Sequence, residues 1–270
     1  MSNELRVTIL GCGSSGGVPR LGGPDGAGDW GDCDPENPKN RRRRCSILVR
    51  RGQTTVLVDT SPDLREQMLS ARAGHLDAVL LTHAHADHTH GIDDLRPYSL
   101  MTGNLLPIYG DEATLDHVAG RFTYLFTQPA SSFFRPVVSP QVIAEPFRAF
   151  EIAGEDGSIP VRPFWQEHGG TRSLGYRFGP IAYSCDANVL DNAAFAALEG
   201  VDTWIVDALQ YKAHPTHANV ETALKWIARV KPKRAILTNM HTSLDYETFA
   251  RALPKGVEPG YDGLEITLPL

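Results

Sequence analysis

The segment Thr82-His83-Ala84-His85-Ala86-Asp87-His88-Thr89-His90 places four of the chain's ten histidines within eight residues, directly after an apolar run. Neutral imidazole nitrogens and carboxylate oxygens are ligands that suit zinc, manganese or iron. At the end of a strand, residues two apart project to the same side, so His83 and His85 can share one ion. Asp87 and His88, on the tight turn that follows, can face a second. An accidental histidine-rich turn has no reason to abut a buried strand or to interleave an aspartate. His90 falls outside the spacing and reads as a surface or supporting residue.

Such a cluster acts only if the chain around it is held still, and the surrounding pattern supplies the elements. Residues 5–10, 46–49 and 54–58 are short, rich in β-branched side chains and bounded by glycine or charge, which predicts strands opening a sheet as a meander. Between the first two, residues 22–40 are rich in Gly, Pro, Asp and Asn and read as a long surface loop. Asp59-Thr60-Ser61-Pro62-Asp63 offers a capping residue, a proline at the first helical position and an acidic first turn, so a helix is expected to run to about Ala73. Residues 77–82 then read as a buried strand. Helical patterns occupy 112–124, 187–198, 218–230 and 246–253, while 202–206, 234–238 and 264–268 read as strands. The stretch 125–145 carries Pro129, Pro136 and Pro140 with Phe126, Phe133 and Phe134, and is expected to be irregular and partly apolar, suited to a lid or to a homodimer contact. No repeat or linker composition interrupts the chain, so a single domain over 1–270 is expected.

Composition narrows the class. The 270 residues are 41% hydrophobic and 21% charged, with a formal charge of -6, which excludes a disordered or collagenous chain and argues against a general nucleic-acid binder held by a basic surface. The longest run without Asp, Glu, Lys or Arg, 97–110, is 14 residues. A helix needs ~20 apolar residues to span a bilayer, so no membrane partner is expected. The N-terminus lacks the basic start and apolar stretch of a secretory signal, so a cytoplasmic location is expected. Cys12, Cys33, Cys45 and Cys185 show no CxxC spacing and read as reduced, buried thiols.

His83-Ala84-His85-Ala86-Asp87-His88 is the HxHxDH signature of the metallo-β-lactamase-fold hydrolases, and the chain resembles that family over nearly its whole length. The resemblance implies an α/β fold, a four-layer αββα sandwich of metallo-β-lactamase type, holding two divalent metal ions, Zn or Mn. It implies that His83, His85 and His168 hold one ion, that Asp87 and His88 hold the other, and that Asp186 bridges both. Both His168, in Trp165-Gln-Glu-His168, and Asp186, in Tyr183-Ser-Cys-Asp186, follow strand-like segments. The family's last ligand is a histidine after a strand ending in Thr, but here Thr238 is followed by Asn239. His241 lies two residues on, hence on the same side if the strand continues, and is expected to complete the second site, with Asn239 as a supporting or substrate contact. Should the chain turn sharply at Asn239, the second ion would be loosely held.

A dinuclear site lowers the pKa of its water and stabilises charge on a phosphoryl or carbonyl oxygen, which gives hydrolysis. Four features lean towards a phosphodiester. Gly11-Cys-Gly-Ser14-Ser15-Gly-Gly17 can turn backbone N–H groups and the Ser14 and Ser15 hydroxyls to an anion. Seven of the 26 basic residues lie between Lys39 and Arg51, and one or two, Arg44 foremost, could reach a phosphate while the rest form a solvated charged loop. A histidine in His214-Pro-Thr-His217-Ala-Asn219 can protonate a departing alkoxide. The combination of these motifs resembles the PhnP-like cyclic phosphodiesterase branch, and more distantly tRNase Z, which implies His217 as general acid with His214 in reserve, and Asp87 as a catalytic as well as a ligand residue. The cysteine-rich loop that can carry a structural zinc in that branch offers only Cys33 and the distant Cys45 here, with Thr242 in place of a histidine, so no structural zinc is expected. Lacking an extended basic arm, the chain is expected to take a small phosphate ester rather than a large nucleic acid. A thioester or β-lactam hydrolase, or a non-catalytic metal-containing carrier, uses the same ligand set; a secreted β-lactamase is disfavoured by the missing export signal.

Overall fold

The computed structural model describes residues 3–128, 133 and 135–270. In chain order the strands are β1 (Glu4–Gly11), β2 (Ser46–Arg51), β3 (Thr54–Val58), β4 (Ala78–Leu80), β5 (Leu106–Gly110), β6 (Val138–Val142), β7 (Phe150–Ile152), β8 (Ile159–His168), β9 (Thr171–Phe178), β10 (Ile181–Ser184), β11 (Thr203–Asp207), β12 (Arg234–Thr238), β13 (Val257–Pro259) and β14 (Glu265–Pro269). The helices are α1 (Leu64–Ser70), α2 (Ala86–Thr89), α3 (Arg96–Thr102), α4 (Glu112–Arg121), α5 (Thr123–Phe126), α6 (Asn192–Ala197), α7 (Val220–Val230) and α8 (Tyr246–Ala252). Among the described residues the strands form two sheets, ordered β14-β1-β2-β3-β4-β5-β6 and β13-β12-β11-β10-β9-β8-β7. In the first, β3 to β6 run parallel, and in the second β10 to β13 do.

The strands of the first sheet read as continuous apolar runs because both faces are covered. Leu5, Val7, Ile9, Ile47, Val49, Val56, Val58, Ala78 and Leu80 pack towards the second sheet, against Phe164, Leu174, Tyr176 and Phe178. The alternate positions Leu48, Leu57, Val79 and Leu81 pack outwards with Leu64 and Met68 of α1 and Leu115 and Val118 of α4. On the far side of the second sheet, Ala194, Ala197, Ala223, Ile227 and Phe249 bury the inner faces of α6, α7 and α8. The result is the expected αββα sandwich. Burial on this scale, at roughly 25 cal/mol per Å² of apolar surface, supplies the rigidity that an assembly of buried polar groups requires.

Several expected boundaries move, each for a local reason. The helix expected from Pro62 begins at Leu64, because Ser61 and Asp63 form a turn and the Asp63 carboxylate is taken by Arg44. The expected helix 187–198 is only α6, capped by Asp191 accepting from the Ala194 N–H, while Ala187 donates to Asp207 instead. The pattern at 112–124 breaks at Phe122. Within 125–145, β6 is a strand rather than irregular chain, and Pro140 is tolerated because β6 is the sheet edge. Pro129 and Phe134 lie outside the described residues, and Phe133 is fully exposed. No helix among the described residues is long and apolar enough to cross a membrane.

The arginine run is absorbed into structure. Arg43 pairs with Asp262 at 3.0 Å and Arg44 with Asp63 at 2.9 Å, while the Arg41 guanidinium lies 4.9 Å from the centre of the Trp30 ring. Arg42 is buried. Its guanidinium donates to the Leu244 carbonyl at 2.6 Å, to Asn40 Oδ1 at 3.1 Å and to the His241 carbonyl at 3.4 Å, and lies 3.9 Å from Cys33 Sγ. It thus ties the long N-terminal loop to the turn after β12. Replacing Arg42 by Met removes these donors and leaves buried acceptors unpaired, which is expected to cost about 2–4 kcal/mol in urea unfolding. A loss under about 0.5 kcal/mol, the level of an ordinary surface substitution, would show that the tie is not structural.

Candidate metal centre and catalytic cleft

The polar residues of interest follow the carboxyl ends of the parallel strands, where open sheets place ligands. Asp59 follows β3, His83 lies three residues past β4, Asp186 two residues past β10, Asp207 ends β11 and Asn239 follows β12. Asp59, Asp186 and Asn239 have φ of 64°, 53° and 62°. Left-handed backbone at non-glycine residues costs energy and recurs where function needs it. Here it ends each strand abruptly and turns a short polar side chain back over the strand ends.

Asp59 organises the histidine turn. Its Oδ1 accepts from the Thr82 N–H and its Oδ2 from the Thr82 hydroxyl and His88 Nδ1, each at 2.8 Å. Because Thr82 Oγ1 already donates to Asp59, it accepts from His83 Nδ1 at 3.0 Å, which leaves His83 Nε2 with its lone pair free. His168 Nδ1 donates to the Thr216 carbonyl at 2.7 Å and likewise presents a bare Nε2. Gly169 permits this approach, since a Cβ there would lie 2.2 Å from Thr216 Cγ2.

His83, His85, His168 and Asp186 offer ligand atoms that all lie within 4.8 Å of one another. His83 Nε2 is 2.8 Å from His85 Nδ1 and 3.5 Å from Asp186 Oδ2, and His168 Nε2 is 3.4 Å from both. Imidazole nitrogens gathered around a carboxylate, with the His83 and His168 rings each oriented by a bond from the other nitrogen, match the donor chemistry of a divalent cation. Burial, reinforced by His88, holds His83 well below the usual histidine range and so in the neutral form that ligates. The other carboxylate oxygen, Asp186 Oδ1, lies 3.4 Å from His88 Nε2, which is also 3.4 Å from Asp87 Oδ2. Cys185 Sγ approaches the same oxygen at 3.1 Å. Burial alone would push the His88 pKa down, but Asp186, Asp87 and Asp59 outweigh it and raise it well above its ordinary value.

His241 does not join either group. Strand β12 stops at Thr238, so the alternation that would carry His241 to the ligand side ends there. Asn239 takes the place beside Asp186, donating to its Oδ1 at 2.9 Å, with its Nδ2 also 3.1 Å from His217 Nδ1. His241 instead faces a cleft of about 290 Å³ next to the cluster, lined also by Ser14, Ser15, Arg20, Asp87, His214 and His217. Arg44 is absent from that lining, since its guanidinium is spent on Asp63. His90 is exposed and packs edge-on to Phe122.

His217 Nδ1 donates to the buried Asp207 Oδ2 at 3.0 Å. Burial lowers the His217 pKa, but this bond and the Asp207 charge raise it to about 8. His214 is exposed, with Nδ1 held by Thr216 at 3.1 Å. Sequence reasoning missed Asp59 and Asp207. The common signal is an apolar β-branched strand closing on aspartate, Val58-Asp59 and Val206-Asp207, where a charge has no reason to be buried unless it orients something.

A family model described as a beta-lactamase superfamily domain matches residues 54–240. The chain belongs to this superfamily, with the metallo-β-lactamase fold. It is 30% identical over 267 residues to an octanoyltransferase of Porphyromonas gingivalis, covering 97% of this chain and 51% of that protein. It is 27% identical over 150 residues to a ribonuclease Z of Bradyrhizobium sp., covering 52% of this chain and 46% of that one. The chain thus spans about half the length of the curated relatives it matches. Among solved structures, a new diphosphatase from the PhnP family shares 33% identity with a TM-score of 0.87, covering 98% of this chain and 97% of that one.

Because Asp186 faces both ligand groups, Asp186→Ala is expected to strip more divalent metal from the purified protein than Asp87→Ala does. Elemental analysis that returned equal losses would show that Asp186 does not bridge the two groups.

Proposed function

We propose that this protein is a dinuclear-metal hydrolase that cleaves a phosphodiester in a small substrate, such as a cyclic phosphate or nucleotide, to a phosphomonoester. The observation that carries this reading is the Asp207–His217 pair beside the ligand cluster, opening on a compact polar cleft. Phosphodiesters have poor leaving groups, and a positioned acid is what their cleavage adds to the needs of an activated ester. His83, His85, His168 and Asp186 would hold one ion, and Asp87, His88 and Asp186 the other, with zinc and manganese both compatible. When bound, two such ions lower the pKa of water towards neutrality and stabilise charge on phosphoryl oxygens.

The chain's own residues supply the rest. Asp207 holds the proton on His217 Nδ1 and keeps the ring cationic near neutral pH, so that Nε2–H can be given to the departing oxygen. Asp87 lines the cleft, where it would orient water and accept its proton. Asn239 steadies Asp186, and the Ser14 and Ser15 hydroxyls can donate to phosphoryl oxygens. The cleft's small volume supports a small ester over a folded RNA. A second reading, hydrolysis of a diphosphate linkage, is favoured by the resemblance to the PhnP-family diphosphatase. It uses the same site and depends less on His217, because phosphate leaves more readily than an alkoxide.

His217→Ala is expected to slow alkyl and cyclic diesters by about 10²–10⁴-fold, and bis(p-nitrophenyl) phosphate by a much smaller factor. Equal losses on both would reject the general acid. In the wild-type protein, kcat/KM for alkyl diesters should fall as pH rises through about 8, where His217 loses its proton, and this limb should vanish in the variant. A panel of a cyclic phosphodiester, a nucleoside diphosphate ester, a glutathione thioester and nitrocefin on metal-loaded protein tests the class as a whole. Turnover confined to the thioester or to nitrocefin would overturn it.

A further inference from the structure

The second ligand group is one protein donor short, and the structure brings a sulfur to it. Asp87, His88 and Asp186 supply three ligands where a tetrahedral ion takes four. The position after β12 that was expected to add a histidine holds Asn239, whose amide nitrogen donates to Asp186 Oδ1 and so offers no lone pair to a cation. His241 lies on the cleft wall instead.

The side chain that does gather with His88 and Asp186 is Cys185. Among the described residues, the ligand atoms of these three lie within 4.8 Å of one another. Cys185 Sγ is 3.1 Å from Asp186 Oδ1, which is 3.4 Å from His88 Nε2. Zinc bonds of about 2.0–2.3 Å put neighbouring tetrahedral donors about 3.3–3.7 Å apart, so the group can close on an ion with small side-chain shifts. Consecutive residues of an extended strand project to opposite sides. The left-handed φ of 53° at Asp186 breaks that alternation and turns its carboxylate back towards the preceding thiol. The turn is pinned on each residue: Gln166 Nε2 donates to the Cys185 carbonyl at 3.0 Å, Ser173 Oγ to the Asp186 carbonyl at 2.8 Å, and the Ala187 N–H to Asp207 at 3.0 Å.

A thiol beside a carboxylate has a simpler use, as a hydrogen-bond donor. Yet Asp186 Oδ1 then faces Cys185, Asn239 and His88 at once, three groups for two lone pairs. A cation resolves the crowding by turning the sulfur and the imidazole from donors into ligands.

We propose that Cys185 is a ligand of the second metal ion, an inference that rests on the dinuclear reading above. The sulfur lone pair binds the cation and the thiol proton leaves to solvent, so the second site becomes Asp87, His88, Asp186 and a thiolate. Thiolate is a soft ligand that favours zinc over manganese, whereas the imidazole and carboxylate set of the first site discriminates less. The two positions therefore differ in metal preference, and the second is a zinc site.

X-ray absorption on zinc-loaded wild-type protein tests this without any substitution. About two ions per chain are expected, with about one sulfur scatterer per two zincs at about 2.3 Å. Cobalt(II)-loaded wild type should show a thiolate charge-transfer band in the near ultraviolet, lost in Cys185→Ser and Cys185→Ala and kept in Cys45→Ala, which removes a neighbouring buried thiol. Serine preserves a hydrogen-bond donor, so a merely structural thiol would not make Cys185→Ser lose an ion. As a ligand, its loss should weaken binding of the second zinc by roughly 10–100-fold or more, read by competition with a chelator. A zinc environment of nitrogen and oxygen alone, or a band that survives both Cys185 substitutions, overturns the thiolate. Two ions without sulfur would leave the dinuclear reading standing, while one ion without sulfur would overturn both. No substrate enters these measurements, so a failure to hydrolyse phosphodiesters does not affect their outcome.

Discussion

The arrangement depends on one buried carboxylate. Asp186 comes from the second sheet, as does His168 beside it, while two other histidines that face it, His83 and His88, come from the turn after β4 in the first. A carboxylate this deep is tolerated only if opposite charge and hydrogen bonds replace the lost water. Burial alone would raise its pKa, yet His88, followed by His83 and His217, holds it well below the ordinary range. The two sheets therefore have to close on each other for the carboxylate to be satisfied. The polar centre and the apolar sandwich are two consequences of one packing event.

Around that carboxylate, positions are set by residues that never face the cleft. Asp59 links three donors across two loops, and Asp207 reaches both the Ala187 N–H next to Asp186 and the ring of His217. Left-handed backbone at Asp59, Asp186 and Asn239 costs of order 1–3 kcal/mol each and persists only where the surroundings over-determine it. Here the surroundings are parallel strands buried on both faces, whose ends have little freedom to relax.

The charged loop follows the same logic from outside. Four consecutive arginines look like a phosphate grip, but each finds a partner nearer than the cleft: a tryptophan face, buried carbonyls, or an aspartate. An arginine committed to a buried partner cannot also serve a ligand. The basic side chain that does reach the cleft stands alone in sequence, at Arg20, where neither charge density nor motif marks it.

The sequence by itself, through its resemblance to a known family, determined the fold class and named the candidate ligand residues. HxHxDH after an apolar run states both a strand end and a turn, whereas the convergence of His168 and Asp186 on it was expected from the resemblance to the metallo-β-lactamase-fold hydrolases. Tertiary structure alone decided three matters. Whether β12 continued past Thr238 turned on the backbone at Asn239, and with it the exclusion of His241 from the ligand group. Which arginines of the 41–44 run were held away from the cleft turned on partners up to 219 residues away in the chain. The roles of Asp59 and Asp207 turned on what lay across the sheet from each. A sequence shows which donors and acceptors exist, whereas their pairing is a property of distances that only the packed chain possesses.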